Sequence, residues 1–444
     1  MKPKAKSKTK RVRLTPFRIL LLGYIIVIAV GTILLILPFS TRADGCASFM
    51  EALFTSVSAS CVTGLTLQDT YTYWTPFGQA VILVLIQIGG IGFMTVIFSL
   101  FLISGKKIGI KELSFMKEAT NLPSLGGMVR LIVTILTGTI IFELAGAFLL
   151  CFRFVPDFGW GRGIWTAVFI SVSAFCNAGF DIIGENASLT QYSTDPLICI
   201  VVPLLIIIGG LGFFVWNDLR NNRFSFRKYT LHTKLVLVAT GIVLVSSTLL
   251  IFLAESDLPL GERILSSFFT AVTARTAGFS VINLTKPVTI LIMMVLMLIG
   301  GASGSTAGGM KINTLSVLVL SMASMFRRKN SPQAFGRRID QENVKTASQF
   351  VTLYLLCIIL GAVLISFFEQ NSGFTLTEIM FETISAMGTV GISLGITQNL
   401  CVGSEIVLCV LMFLGRAGCM TVMLSWRTPA PPAAELPVEQ VRIA

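Results

Sequence analysis

One short pattern occurs four times in this chain and restricts its folding more than any other feature. A half-apolar run ends in a glycine turn, and a long apolar segment follows. The four endings are Cys61-Val62-Thr63-Gly64-Leu65, Cys176-Asn177-Ala178-Gly179-Phe180, Arg275-Thr276-Ala277-Gly278-Phe279 and Gly388-Thr389-Val390-Gly391-Ile392. The approaches match as well: Ser58-Ala59-Ser60, Ser173-Ala174-Phe175, Val272-Thr273-Ala274 and Ser385-Ala386-Met387. Four copies in one polypeptide are enough to close a ring without a second chain. In a membrane, a ring of glycine-rich backbone is a way for a pore to choose among ions.

The membrane is implied by composition. The chain has 444 residues, of which 54% are hydrophobic, more than a soluble domain of this size needs. Stretches 19–37, 80–103, 131–150, 196–215, 235–253, 351–368 and 406–424 have about the 20 apolar residues that a spanning helix requires. Stretch 289–301 is too short alone and continues past a break. The expected fold is an all-α polytopic membrane protein with eight spans and both termini on one side.

The formal charge of +12 invites a nucleic-acid reading, but its distribution argues against one. Lys2, Lys4, Lys6, Lys8, Lys10, Arg11, Arg13 and Arg18 precede the first span. Lys106, Lys107, Lys111 and Lys117, then Arg220, Arg223, Arg227 and Lys228, then Arg327, Arg328, Lys329, Arg337 and Arg338 fall in loops on that same side. Opposite loops lean acidic, with Asp44, Glu51, Asp69, Asp157, Asp181, Glu185, Glu255, Asp257, Glu369, Glu378 and Glu382. This is the positive-inside distribution of a plasma-membrane protein with cytoplasmic termini. The N-terminal segment is too polar, and the apolar run behind it too long, for a cleaved signal peptide.

Catalytic chemistry finds little support. The nine cysteines form no CxxC or Cys/His spacing, so neither a metal site nor a disulfide framework is expected. The single histidine, His232, lies at a helix entrance beside Lys234 and is assigned a solvated or capping role. No Asp pair or Ser/His arrangement lies within the spans, which argues against an enzyme. Glu143 is the acidic residue that stands out inside a span, as a helix-packing partner or a polar pore-side group.

Each copy reads as outer helix, half-helix, glycine turn and inner helix. The half-helices, 47–60, 162–175, 262–274 and 375–387, each reach only about 20 Å and cannot cross the hydrocarbon. They must enter and turn back, which is tolerated only where the backbone is buried in protein or lines water. Glycine permits the positive φ and close approach that such a turn needs. The partial negative ends of four half-helices aimed at one axis favour a cation.

A second glycine mark follows each turn: Gly89-Gly90-Ile91-Gly92, Gly209-Gly210-Leu211-Gly212, Gly300-Gly301-Ala302-Ser303-Gly304 and Gly415-Arg416-Ala417-Gly418. It begins 25, 30, 22 and 24 residues after the turn glycine. Helix–helix packing through small residues is the competing reading for the first two copies. The third copy runs on as Gly300-Gly301-Ala302-Ser303-Gly304-Ser305-Thr306-Ala307-Gly308-Gly309-Met310-Lys311. At about 1 kcal/mol per glycine relative to alanine, no helix survives there, so the inner helix breaks and resumes near 312–325. The run lacks the spacing of a phosphate-binding loop and follows no strand. In the fourth copy Arg416 replaces a glycine, and a buried arginine in a span must be paired or wet. Carbonyls of the loop and the hydroxyls of Ser303, Ser305 and Thr306 are expected to receive its donors, the loop acting as a gate. An arginine that only pins two helices is the alternative.

Together these motifs resemble the Trk/Ktr/HKT superfamily over about residues 15–427, and its Ktr-type ion-translocating membrane subunit more than the TrkH type, since extra N-terminal helices are lacking. The resemblance implies potassium uptake, often sodium-dependent, with Na⁺ an activator. It implies K⁺ on the backbone carbonyls of a filter made of Val62, Thr63, Gly64, Asn177, Ala178, Gly179, Thr276, Ala277, Gly278, Thr389, Val390 and Gly391. Relatives with serine at the first filter glycine favour sodium, so Gly64 implies potassium, with modest discrimination. The implied gate comprises Gly300, Gly301, Ala302, Ser303, Gly304, Ser305, Thr306, Ala307, Gly308, Gly309, Lys311 and Arg416. A homodimer is implied, with a KtrA-type cytosolic ring of nucleotide-binding RCK subunits that holds ATP or ADP. This chain carries no nucleotide fingerprint, and no organic cofactor is expected in it. The divisions are a basic N-terminus (1–18), four repeats (19–125, 126–231, 232–342 and 343–427) and a cytoplasmic tail (428–444). Anionic lipid suits the N-terminus, loops 106–117 and 327–338 suit a regulatory ring, and the tail suits docking at the dimer interface. A Na⁺- or H⁺-coupled symporter of the same fold is the alternative function.

Overall fold

The computed structural model describes residues 16–42, 45–93, 95–96, 99, 128–223, 225–329 and 331–426. The basic stretch before residue 16, loop 106–117 and tail 428–444 lie outside the described residues. From the N-terminus, α1 (Pro16–Ile36), α2 (Phe49–Ser60), the single turn α3 (Thr70–Tyr73) and α4 (Pro76–Ile91) come first. Next are α5 (Met128–Cys176), α6 (Pro196–Gly210), α7 (Phe213–Asn222), α8 (Leu231–Ala254), α9 (Leu260–Thr273), α10 (Pro287–Met297) and α11 (Ile312–Phe326). Then follow α12 (Gln341–Phe368), α13 (Leu376–Gly388), α14 (Val402–Ala417) and α15 (Cys419–Trp426). Between α11 and α12 a hairpin pairs Gln333 with Arg338 and Ala334 with Arg337.

Helices α1, α5, α8 and α12 are long and apolar enough to cross a bilayer. Large apolar side chains such as Ile25, Ile33, Leu144, Phe148, Ile242, Val245, Ile359 and Val363 remain exposed on them. A surface of that kind suits lipid, not water. Their other faces pack on the short helices. The Ser56 hydroxyl donates to the Ile28 carbonyl at 2.8 Å, and Ser171 donates to the Glu143 carbonyl at 2.7 Å.

The short helices α2, α9 and α13 are the innermost elements, buried along their C-terminal halves. Two start with a capping box, Ser48 with Glu51 and Thr375 with Glu378, which fixes their entry points by satisfying backbone donors. The expected half-helix 162–175 is not separate. It continues α5 beyond a kink where Gly159 has φ 79 and ψ 171, three residues after Pro156.

The sequence reading keeps 80–103, 196–215 and 406–424 whole and breaks only the third inner helix. In the structure all four break at the glycine mark. Gly92, Gly212 and Gly418 have φ of +90, +92 and +84, outside any right-handed helix. α6 and α7 meet at 90°. The packing reading holds alongside. A Cβ on Gly89, Gly209 or Gly415 would lie 2.2, 2.0 or 2.2 Å from the carbonyl of Ser60, Phe175 or Met387. The mark therefore lets an inner helix touch the end of a short helix and then leave the helical path.

Candidate functional site

The four glycine turns share a local geometry. Val62, Asn177, Thr276 and Thr389 have φ of 57°, 60°, 75° and 52°, and two residues on Gly64, Gly179, Gly278 and Gly391 have φ of 91°, 70°, 85° and 91°. Three of the non-glycine positions are β-branched, where positive φ is a true outlier. Such strain costs about 1–3 kcal/mol per residue and persists only where the surroundings over-determine it.

Here the surroundings are the other turns. A Cβ on Gly64 would lie 2.4 Å from the Ala178 carbonyl oxygen, and one on Gly179 2.7 Å from that of Ala277. One on Gly278 would lie 2.6 Å from the Val390 oxygen, and one on Gly391 2.0 Å from that of Thr63. Each turn thus presses on the next in chain order, and the fourth presses on the first. The ring closes through backbone alone, with no room for a side chain at any of the four glycines.

Support behind the ring is uneven. Ser58 Oγ accepts from Gly64 N at 3.1 Å, and Ser385 Oγ accepts from Gly391 N at 3.1 Å. The matching Ser173 hydroxyl finds no partner among the described residues, and the third copy has Val272 there. The recurrent Ser six residues before the glycine was the legible signal for this support. The third turn also differs in its backbone bond, Ala277 N donating to Thr273 O at 3.0 Å where the others reach back to Ser58, Ser173 and Ser385 at 2.8 Å.

The broken third inner helix lies directly against the ring. Between α10 and α11, Ala302 N donates to Gly210 O at 2.9 Å, and Thr306 N donates to Gly209 O at 3.3 Å. Phe213 N donates to Gly304 O at 2.7 Å, and the Thr306 hydroxyl donates to Phe175 O at 3.1 Å. A Cβ on Gly308 would lie 2.0 Å from Thr389 Oγ1, and one on Gly309 2.7 Å from Gly388 O.

Arg416 reaches this loop through a carbonyl, as the sequence suggests, but not through the loop hydroxyls. Its Nη1 donates to the Thr306 carbonyl, and Nη2 donates to the carbonyls of Gly89 and Gly90. Among the described residues its acceptors are all backbone oxygens. The Ser305 hydroxyl is committed to Ala302 O at 2.7 Å, and that of Thr306 to Phe175. A planar guanidinium suits this task because its donors diverge in fixed directions. Lys311 adds a second cation, Nζ donating to Ala307 O at 2.6 Å and Gly308 O at 3.3 Å. The carbonyls of Gly89 and Gly90 were not anticipated as acceptors, because nothing local ties them to Arg416.

Two cavities flank this assembly. One, of about 250 Å³, is lined by all four turn glycines together with Asp69, Asp181, Ser393 and Thr397. Burial, with a contribution from nearby Asp69, pushes the Asp181 carboxyl up to about 6. The other, of about 260 Å³, is bounded by Gly90, Gly92, Ser305, Ala307, Lys311 and Arg416, and none of the turn glycines lines it. The turn glycines line only the first space, and residues of the loop line only the second.

Residues outside the ring resolve simply. Glu143 accepts from Gln87 Nε2 at 3.0 and 3.2 Å and is a helix-packing partner. His232 is not solvated, its Nδ1 being hydrogen-bonded to Asn313 Nδ2 at 3.0 Å. All nine cysteines are free, and no cluster of His, Cys, Asp and Glu among the described residues is arranged to hold a metal ion.

Helices long and apolar enough to cross a bilayer, packed around four interlocked backbone turns, define the class: a polytopic membrane protein. The family model described as "TrkH: Cation transport protein" matches residues 4–434. The potassium/sodium uptake protein NtpJ of Enterococcus hirae is 41% identical over 431 residues, 94% of each chain. The Ktr system potassium uptake protein B of Bacillus subtilis is 39% identical over 426 residues, also 94% of each. The potassium transporter TrkH of Vibrio parahaemolyticus shares the fold, with a TM-score of 0.73 at 18% identity, over 95% of this chain and 88% of that one. The chain belongs to the TrkH family of cation transport proteins. That membership places it among ion transporters and not among enzymes.

Proposed function

We propose that this chain takes up potassium through a filter formed by residues 62–64, 177–179, 276–278 and 389–391. The observation that carries this is the closure of the four turns on one another's carbonyls. Carbonyls fixed by mutual backbone contact replace part of an ion's hydration shell, and the short helices direct partial negative charge to the same place. The relatives named for potassium and for potassium/sodium uptake support this cargo.

In this reading the chain consists of four outer helix–short helix–inner helix repeats, with eight crossings and cytoplasmic termini. The 300–309 loop, tethered by Arg416 and Lys311, is the gate between the two cavities. The positive charge on these tethers raises the barrier for a cation until the loop withdraws. Na⁺ activates, and uptake draws on a membrane potential worth about 2.3 kcal/mol per charge per 100 mV.

The chain works as a homodimer under a cytosolic nucleotide-binding ring. The exposed basic group Arg327, Arg328, Lys329, Arg337 and Arg338 at the α11–α12 hairpin supports a docking face for it. The test is cation flux into liposomes carrying the purified chain, under K⁺, Rb⁺ and Na⁺ gradients. Rb⁺ and K⁺ flux above Na⁺ flux is expected. Equal flux of all three overturns the filter, and strict dependence on a Na⁺ gradient favours the coupled symporter.

A further inference from the structure

The four turns are not held in the same way. The first and fourth are braced by their own chain, Ser58 and Ser385 each accepting from a turn glycine. The second lacks that bond, since Ser173 Oγ has no partner among the described residues, and the third has Val272 in place of the serine. Yet Thr276 in the third turn has φ 75, the largest of the four matching positions. Strain of that kind lasts only where the surroundings hold it.

A side chain from the second turn reaches it. Asn177 stands where the other copies have Val62, Thr276 and Thr389, so only the second copy carries an amide there. Asn177 is 1% exposed and Thr276 0%. One end of the amide lies 3.3 Å from Thr276 Oγ1. The other end faces the carbonyls of Ala174 and Ile206, at 3.1 and 3.3 Å. Of the two amide ends only the nitrogen can donate to carbonyls. Nδ2 therefore donates to both, and Oδ1 accepts from the Thr276 hydroxyl. Ala174 lies near the end of α5 and Ile206 on the inner helix α6, so the amide is anchored on two helices before it meets the third turn.

We propose that Asn177 is a positioning residue for the third turn, its side chain setting ion selectivity by holding Thr276 in place. The first and fourth turns are braced from behind, and the second and third brace each other. Ala277 follows Thr276, and its carbonyl is the one that a Cβ on Gly179 would meet. A turn released at Thr276 therefore shifts the carbonyls that close the ring between the second and third copies. Without Asn177 the Thr276 hydroxyl is left buried and unpaired among the described residues, a state that costs more than the bond itself contributes.

This inference rests on the reading of the four turns as a cation filter, and the test separates the two. The full chain is reconstituted in liposomes, and the ratio of Rb⁺ to Na⁺ flux is measured for wild type, Asn177→Ala, Thr276→Val, Thr276→Ser and the double variant Asn177→Ala/Thr276→Val. Thermal unfolding in detergent is followed for the same proteins. The ratio should fall about two- to tenfold in Thr276→Val, the factor carried by one hydrogen bond, and at least as far in Asn177→Ala. The double variant should fall no further than Asn177→Ala alone, because both changes remove the same bond. Thr276→Ser keeps the hydroxyl and should keep the wild-type ratio. If Asn177→Ala does not fold, the two Thr276 variants still decide, since they leave the amide on its carbonyls. A folded Thr276→Val protein with the wild-type ratio overturns the brace, as does a Thr276→Ser protein as unselective as Thr276→Val. Equal Rb⁺ and Na⁺ flux through wild type overturns the filter instead. The unfolding temperatures then still report on the bond, which is supported by non-additive losses in Asn177→Ala and Thr276→Val and overturned by additive ones.

Discussion

Replacing Gly64 with serine tests the ring directly. The new Cβ would lie 2.4 Å from the Ala178 carbonyl oxygen and 3.1 Å from Gly179 Cα, where ordinary contact begins at 3.4 Å. Both neighbours are backbone, so no side chain can swing aside, and the Ala178 carbonyl must move by about 1 Å. The variant also holds a side chain at φ +91, at about 1–3 kcal/mol. Misplacing one carbonyl by that distance alters how K⁺ and Na⁺ compare, and each 1.4 kcal/mol of that difference is about tenfold. The K⁺/Na⁺ flux ratio in liposomes should therefore fall at least about tenfold. Gly373→Ser is the control, since Gly373 has φ +74 with nothing within 4 Å of its Cβ. It carries the same kind of strain without intrusion and should keep the wild-type ratio. The positions also rank. Gly391, 2.0 Å from the Thr63 oxygen, should tolerate serine least, and Gly179, 2.7 Å from that of Ala277, best. A folded Gly64→Ser protein with unchanged selectivity, or a Gly373→Ser protein that loses it equally, would refute the reasoning.

Arg416→Ala removes the donors to Thr306, Gly89 and Gly90, and each charge-assisted bond is worth about 1.5–3 kcal/mol. Resting Rb⁺ flux should rise about tenfold or more, and an unchanged flux would show that the arginine only pins helices. Lys311→Met frees the carbonyls of Ala307 and Gly308 and should raise resting flux in the same direction. Combined with Arg416→Ala it should add less than the sum, because both side chains hold one loop. Gly89→Ala sets a Cβ 2.2 Å from the Ser60 carbonyl and should lower stability by about 1–3 kcal/mol, read as an earlier thermal transition. Thr375→Ala removes the α13 capping box and should cost about 0.5–2 kcal/mol, with flux selectivity retained by whatever protein folds.

Much of the site was legible because its determinants are local. Glycine spacing, the short half-apolar runs and the glycine-dense third inner segment each dictate backbone behaviour within a few residues, and the structure has turns and a break at those places. Arg416 was legible as an anomaly, since a charge in an apolar run demands a partner. Of its partners, a loop carbonyl was expected, and those of Gly89 and Gly90 were not. Thr306 is 110 residues away and Gly89 is 327, and the hydroxyls that looked available had acceptors of their own.

By itself the sequence determined that the chain enters a membrane, that four half-apolar runs lead into glycine turns and that one inner helix cannot continue. Apolar length, positive-φ tolerance and glycine content act through bonds and neighbours close along the chain. Tertiary structure decided the rest. It set the order in which each glycine meets the next carbonyl, broke the other three inner helices, fused one short helix to α5 and buried Glu382 with one oxygen lacking a partner among the described residues. Those outcomes depend on which distant backbones come into contact, and the residues that meet there carry no local mark of their partners.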